Sequence, residues 1–219
     1  MTSRAEESEQ NPAGAALSPA ELEEISRHAT PRDFRARTVL MTEGDETDNL
    51  YIILEGRVRA YVSDADGREA VLSVMGPGEY FGEIAFDQGP RSASVITLEP
   101  CRMLVVPRED FVELVTRSPA FAMHFINHLI GRIRTLTNNV RSLALMDAYG
   151  RVARLLLENA VTEKGVQFIR EKLTQAEIAS RVGCSREMVS RIFKDLVQGH
   201  YITIESDRIV INRKPPAKW

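Results

Sequence analysis

Residues 174–194 read TQAEIASRVGCSREMVSRIFK, two short amphipathic patterns that meet at Gly183-Cys184-Ser185. Thr174 and Glu177 stand at capping-box spacing, so the threonine hydroxyl and the glutamate carboxylate can each satisfy an amide at the start of the first helix. Ile178, Ala179 and Val182 are its inward positions, and Ala179 is small enough for two helices to cross closely. Gly183 supplies a left-handed turn that a Cβ would oppose. Ser185 caps the second helix, whose inward positions are Val189, Ile192 and Leu196. Arg186, Glu187, Ser190 and Arg191 are left on the exposed side. Arginine grips guanine O6 and N7 with two hydrogen bonds, and glutamate accepts from cytosine N4. The segment therefore predicts a helix-turn-helix whose second helix reads base edges in a major groove. A charged surface helix in an unrelated bundle would account for the arginines, but not for the small residue, turn glycine and cap serine at fixed offsets.

Charge is divided to match. The whole chain is at −3, with 28 Lys+Arg and 31 Asp+Glu. From residue 149 onward there are 13 basic and 8 acidic residues, leaving 15 and 23 for the remainder. A basic C-terminal third on an acidic body suits a phosphate backbone at one end only. With 219 residues the chain has room for one or two domains with a real core. No apolar run reaches the length of a membrane span, and residues 1–17 are too acidic and polar for a signal peptide. Cys101 and Cys184, far apart in sequence, are expected as reduced thiols in a cytoplasmic protein without a membrane partner.

Ahead of the helix-turn-helix, residues 1–17 predict a disordered tail. Ser18, Pro19 and Glu21 predict the start of a short helix, as N-cap, first helical residue and capping-box partner. From residue 34 to 106 short apolar runs (50–54, 58–62, 70–74 and 94–98) alternate with turns at residues 43–45, 55–57, 64–67 and 76–78. Many short strands with regular turns predict a sandwich or barrel-like roll. The period then becomes helical. Phe111, Leu114 and Val115 mark a short helix, and a longer one spans Pro119 to Leu145. Its apolar positions Ile126, Ile130, Ile133, Leu136, Val140 and Leu143 keep a spacing of three or four, the seam of a coiled coil. A second copy of the chain would cover that seam; packing on the chain's own β roll is the alternative. Residues 147–150 break into a further helix over 151–160. Two β runs around the turn at residues 205–208 predict a hairpin wing.

The run VGCSREMVSRI at residues 182–192 closely resembles the recognition element of the Crp/Fnr family, in its catabolite activator (cyclic-AMP receptor) branch. LALMD at 143–147, followed by Gly150-Arg151, resembles that family's hinge. Residues 78–95, GEYFGEIAFDQGPRSASV, resemble the phosphate cassette of cyclic-nucleotide-binding domains. The resemblance implies an α+β chain: a disordered tail at 1–17, a cyclic-nucleotide-binding β roll (double-stranded β-helix) at 18–118, a dimerisation helix at 119–146 and a winged helix-turn-helix at 147–219. It implies a homodimeric regulator on double-stranded DNA, with RNA polymerase as a further partner. Arg186, Glu187 and Arg191 become base readers of TGTGA-like half-sites, with Ser190 on the same face and Ser185 a phosphate contact. Two recognition helices would lie about 34–36 Å apart. Ala176 departs from the family, falling where the best-known relative has a polar phosphate-contacting residue.

For the ligand, cyclic AMP, the same resemblance implies Arg91 and Ser92 on the phosphate, Glu83 on the ribose 2′-hydroxyl, and Gly82 and the Ile84 peptide as backbone contacts. A forked arginine suits a cyclic phosphate on its own chemistry. The stretch from Gly82 to Arg91 is shorter than in the commonest cassettes. Where the cyclic-AMP-responsive relative offers threonine and serine to adenine, this chain has Leu136 and Thr137, so one hydroxyl remains. Rival expectations are an internal Glu83–Arg91 ion pair in an empty roll, a constitutive or cyclic-di-GMP-responsive regulator, and a nucleotide-binding module without DNA function. His124 and His128, four apart, are expected on a solvated helix face rather than as metal ligands. No nucleophile–base pair, P-loop or metalloprotease motif supports an enzyme.

Overall fold

In the computed structural model, residues 19–27, 29–83, 89–170 and 173–216 are described. The expected Ser18 cap and the tail at 1–17 lie outside them. The chain forms two compact units, one of residues 1–62 with 71–137 and the other of 63–70 with 138–219.

The first unit holds α1 (Pro19–Ser26), β1 (Thr30–Phe34), β2 (Val39–Met41), β3 (Leu50–Glu55), β4 (Val58–Ser63), β5 (Glu69–Met75), β6 (Tyr80–Phe81), β7 (Ser94–Thr97), β8 (Cys101–Val106), α2 (Arg108–Arg117) and most of α3 (Pro119–Leu145). Its strands form two four-stranded sheets ordered β1-β8-β3-β6 and β2-β7-β4-β5. Strand alternation gives the sheet of β3, β6 and β8 two different faces. Ile53, Phe81, Cys101 and Met103 point into a core shared with Met41, Val58, Ala60, Met75 and Val95 of the other sheet. Leu50, Ile52, Tyr80, Leu104 and Val106 point the opposite way, onto Ile25, Phe111, Leu114, Phe121 and Phe125 of the helices. Burying both faces is what leaves residues 50–54 of β3 and 103–106 of β8 apolar.

The long helix carries two stripes rather than one. Phe121, Phe125, His128 and Gly131 are buried. The predicted seam faces the other way: Ile126, Ile130, Ile133, Leu136, Val140 and Leu143 are 40–66% exposed. The solvated-face expectation for His124 and His128 is therefore corrected. His128 is 3% exposed and stacks on Tyr80 at 3.9 Å, and His124 is half-buried. Spacings of four and three from Phe121 put His128 on the inner stripe.

The second unit packs α4 (Ala148–Glu158), α5 (Gln175–Val182) and α6 (Arg186–Gln198) on a sheet ordered β11-β12-β10-β9. Its strands are β9 (Val161–Glu163), β10 (Val166–Ile169), β11 (Ile202–Ile204) and β12 (Ile209–Ile211). The core joins Val152 and Leu156 of α4, Ile178 and Val182 of α5, Val189, Ile192, Phe193 and Leu196 of α6, and Ile202, Ile209 and Ile211 of the sheet. Two sequence expectations shift. Helix α4 begins at Ala148, because the Asp147 side chain caps it by accepting from the Gly150 amide at 2.7 Å. The wing is part of a four-stranded sheet, since β10 pairs with β12.

Candidate nucleic-acid interface and ligand pocket

The helix-turn-helix is assembled by bonds only a few residues long. Thr174 Oγ1 accepts from the Glu177 amide at 3.2 Å, and Glu177 Oε2 accepts from the Thr174 amide at 2.7 Å, which closes the capping box. Gly183 ends α5 at φ +66°. Ser185 Oγ then accepts from the Met188 amide at 3.2 Å and starts α6. With Val189, Ile192 and Phe193 buried, Ser185, Arg186, Glu187, Ser190 and Arg191 are all exposed on one side, and Lys194 extends that face. The Glu187 carboxyl is held below the usual carboxylate range by its own backbone amide, by the Ser185 hydroxyl and by Arg186 and Arg191. An ionised acceptor between two guanidinium groups is what base-edge donors and acceptors require. The wing turn is less cationic, because Arg208 is bonded to Glu205 at 2.6 Å.

The cassette in the first unit is built differently. After Tyr80 and Phe81 turn to opposite faces, Gly82 adopts φ +92°. A Cβ there would meet the Asn49 carbonyl oxygen at 2.6 Å and Met41 Cε at 2.7 Å, so only glycine allows the approach. Arg91 lies against this point with 3% exposure. Its Nε donates to Thr47 Oγ1 at 2.9 Å, Nη1 to the Gly82 carbonyl at 2.8 Å and Nη2 to the Asn49 carbonyl at 2.8 Å. All three acceptors are neutral. Burial pulls the Arg91 pKa down, opposed by Tyr51, Asp48 and Glu83, and a guanidinium stays charged through such a shift.

Glu83 faces Arg132 Nε of α3 at 3.5 Å and not Arg91, which counts against the rival expectation of an internal Glu83–Arg91 pair. Arg132 also reaches Met75 Sδ at 3.5 Å and lies close enough to Glu79 to act on its charge. Burial raises the Glu79 pKa, while the Gly76 amide and Arg132 oppose the rise. Ser92 is exposed beside Arg91. Ile84 lies outside the described residues. Thr137 is exposed, and its hydroxyl donates to the Ile133 carbonyl at 2.8 Å, which leaves its lone pairs free to accept. Sequence reasoning missed Thr47, Asn49, Glu79 and Arg132. Arg132 alone had a local signal, one turn beyond His128 on the inner stripe of α3.

Residues 31–118 match the cyclic nucleotide-binding domain family, and residues 150–215 match the Crp-like helix-turn-helix domain family. Over 201 residues the chain is 33% identical to the CRP-like cAMP-activated global transcriptional regulator of Mycobacterium tuberculosis, covering 90% of each. It is 32% identical to the cAMP-activated global transcriptional regulator CRP of Pasteurella multocida, covering 87% of this chain and 93% of that one. Among solved structures, the c-di-GMP responsive global regulator CLP of Xanthomonas campestris superposes with a TM-score of 0.78 at 26% identity. That match covers 87% of this chain and 97% of the other.

Proposed function

The chain belongs to the CRP-like transcription regulators, with a cyclic-nucleotide-binding domain and a helix-turn-helix DNA-binding domain, and from that premise we propose a homodimer that reads a TGTGA-like inverted repeat under the control of cyclic AMP. The observation that carries the reading is the single exposed face of α6, where Arg186, Glu187, Ser190 and Arg191 stand together behind the Ser185 cap. Arg186 and Arg191 grip guanines, Glu187 accepts from cytosine, and Ser185 and Ser190 contact backbone or base edges. The exposed apolar row from Ile126 to Leu143 supports a second copy as its cover, with residues 119–146 as a dimerisation helix between the β roll of 18–118 and the DNA-binding domain of 147–219.

Control by a nucleotide is supported by the buried Arg91. A desolvated cation among neutral oxygens gains most from an anion that arrives without its water. The cyclic phosphate meets Arg91 and Ser92, with backbone contacts from Gly82 and Ile84. Glu83 keeps one oxygen for a ribose 2′-hydroxyl while the other faces Arg132. Thr137 accepts from the exocyclic amine of adenine. The ligand acts by binding the DNA-competent arrangement more tightly than the alternative. A second reading, cyclic di-GMP, is supported by the similarity to the c-di-GMP responsive regulator CLP.

RNA polymerase and a cytoplasmic setting complete the proposal. Among the described residues no helix is long and apolar enough to cross a membrane. The test is a gel shift on a TGTGA palindrome and on a scrambled duplex, each without nucleotide and with cyclic AMP, cyclic GMP or cyclic di-GMP. Retardation of the palindrome strengthened by cyclic AMP alone supports the reading. Equal retardation of both duplexes contradicts the base readers, and a response to cyclic di-GMP alone reassigns the ligand.

A further inference from the structure

Arg151, in the first turn of α4, gives its guanidinium to three main-chain carbonyls at two helix ends. Nη1 donates to Met146 O at 2.8 Å, just past the end of α3. Nε donates to Val182 O at 2.7 Å and Nη2 to Gly183 O at 3.2 Å, at the end of α5. The last carbonyls of a helix lack donors of their own and carry the negative end of its dipole. A planar fork serves several of them at once, in a fixed geometry that an ammonium group does not reproduce.

A second contact closes the same junction. A Cβ on Gly183 would come within 3.2 Å of Leu143 Cδ2, so the last turns of α3 rest against the turn that precedes α6. Ser185, the cap of α6, follows two residues later.

We propose that Arg151 is the positioning residue that fastens the start of the reading helix to the end of the long helix. A displacement of the last turn of α3 is then passed to the 185–191 face instead of being absorbed at the bend around Asp147. Arg151 itself touches no base. The proposal deepens the DNA-reading assignment and rests on it for its consequence, though not for the junction.

The test compares the full-length protein with Arg151→Lys, which keeps the charge and loses the fork. Hydrogen exchange is followed at residues 140–147 and 183–188 and at the core of α6, residues 192–196. The expected result is about tenfold faster exchange in both junction segments with the α6 core unchanged, and operator affinity lowered about tenfold at unchanged affinity for scrambled DNA. Wild-type exchange at the junction overturns the proposal, and so does an equal rise in all three segments, the mark of general destabilisation. Arg151→Gln, which keeps one donor, decides in the same way if the lysine variant does not fold. A wild-type protein that binds operator and scrambled DNA alike would sink the DNA reading, while the exchange comparison still decides the role of Arg151.

Discussion

The proposed reading face and the proposed ligand site both depend on arginine, yet they use it in opposite ways. On α6, Arg186 and Arg191 are exposed and stand in water. In the pocket, Arg91 is buried, with three donors already engaged by Thr47, Gly82 and Asn49. A surface that meets a polyanion of variable sequence can leave its side chains to adapt on contact. A pocket that takes one small anion gains from a donor whose orientation is fixed beforehand, because less side-chain freedom is lost on binding. Mutations should therefore act locally and modestly on the reading face, and strongly but through ligand binding in the pocket.

The largest effect is expected at Arg91. Arg91→Met removes the proposed phosphate partner, and calorimetry should show a loss of about 3 kcal/mol or more, roughly a hundredfold or greater, in cyclic AMP affinity. Operator binding without nucleotide should stay close to wild type. A nucleotide affinity within threefold of wild type would break the contrast.

Next in size is a pH effect from the wall of the same unit. His128 is held at a pKa of about 4 instead of 6.5, first by burial and then by Arg132 and His124. Between those values the unfolded chain binds a proton that the native protein refuses, so stability falls as pH drops from about 6.5 to 4. The contribution is about 3 kcal/mol at most. Urea melts at pH 7 and pH 4 should show that much less acid sensitivity in His128→Phe, and equal slopes would remove the assignment.

On the reading face, Arg186→Ala should cost about 1–3 kcal/mol of discrimination at one base pair. Competition between the palindrome and single-base variants measures it. If every variant weakens equally, Arg186 contacts phosphate instead of a base. The smallest change is Ser185→Ala, which removes the cap of α6 and should lower stability by about 1 kcal/mol in thermal or urea unfolding. No change at all would mean that the Met188 amide finds another acceptor.

The same two regions show what sequence can reveal. Thr174, Glu177, Gly183 and Ser185 act on neighbours within four residues, so their roles follow from spacing, as does the inward set Ile178, Val182, Val189 and Ile192. The pocket is stitched across the fold. Arg91 meets Thr47 and Asn49 from 44 and 42 positions away, and Glu83 meets Arg132 on another element. No periodicity reports such a contact, although the cassette residues themselves could be named by resemblance. His128 was legible in principle, because Phe121, Phe125 and His128 form their own helical stripe beside the more conspicuous outer seam. The β9–β10 hairpin was too short to show an alternating pattern. Its remaining signal was the Lys164-Gly165 turn, whose residues take φ of +50° and +80°.

Reciprocal coupling between the two regions is the central claim, and one binding cycle measures it. Cyclic AMP affinity is determined by calorimetry on the free protein and on the protein saturated with operator, and operator affinity with and without cyclic AMP. Linkage requires that the two ligands tighten each other by the same factor, about 5–150-fold for a typical coupling. Equal factors well above one are predicted. Two tight binding events with a factor of one would show a nucleotide site and a DNA reader that do not communicate, and would contradict the account.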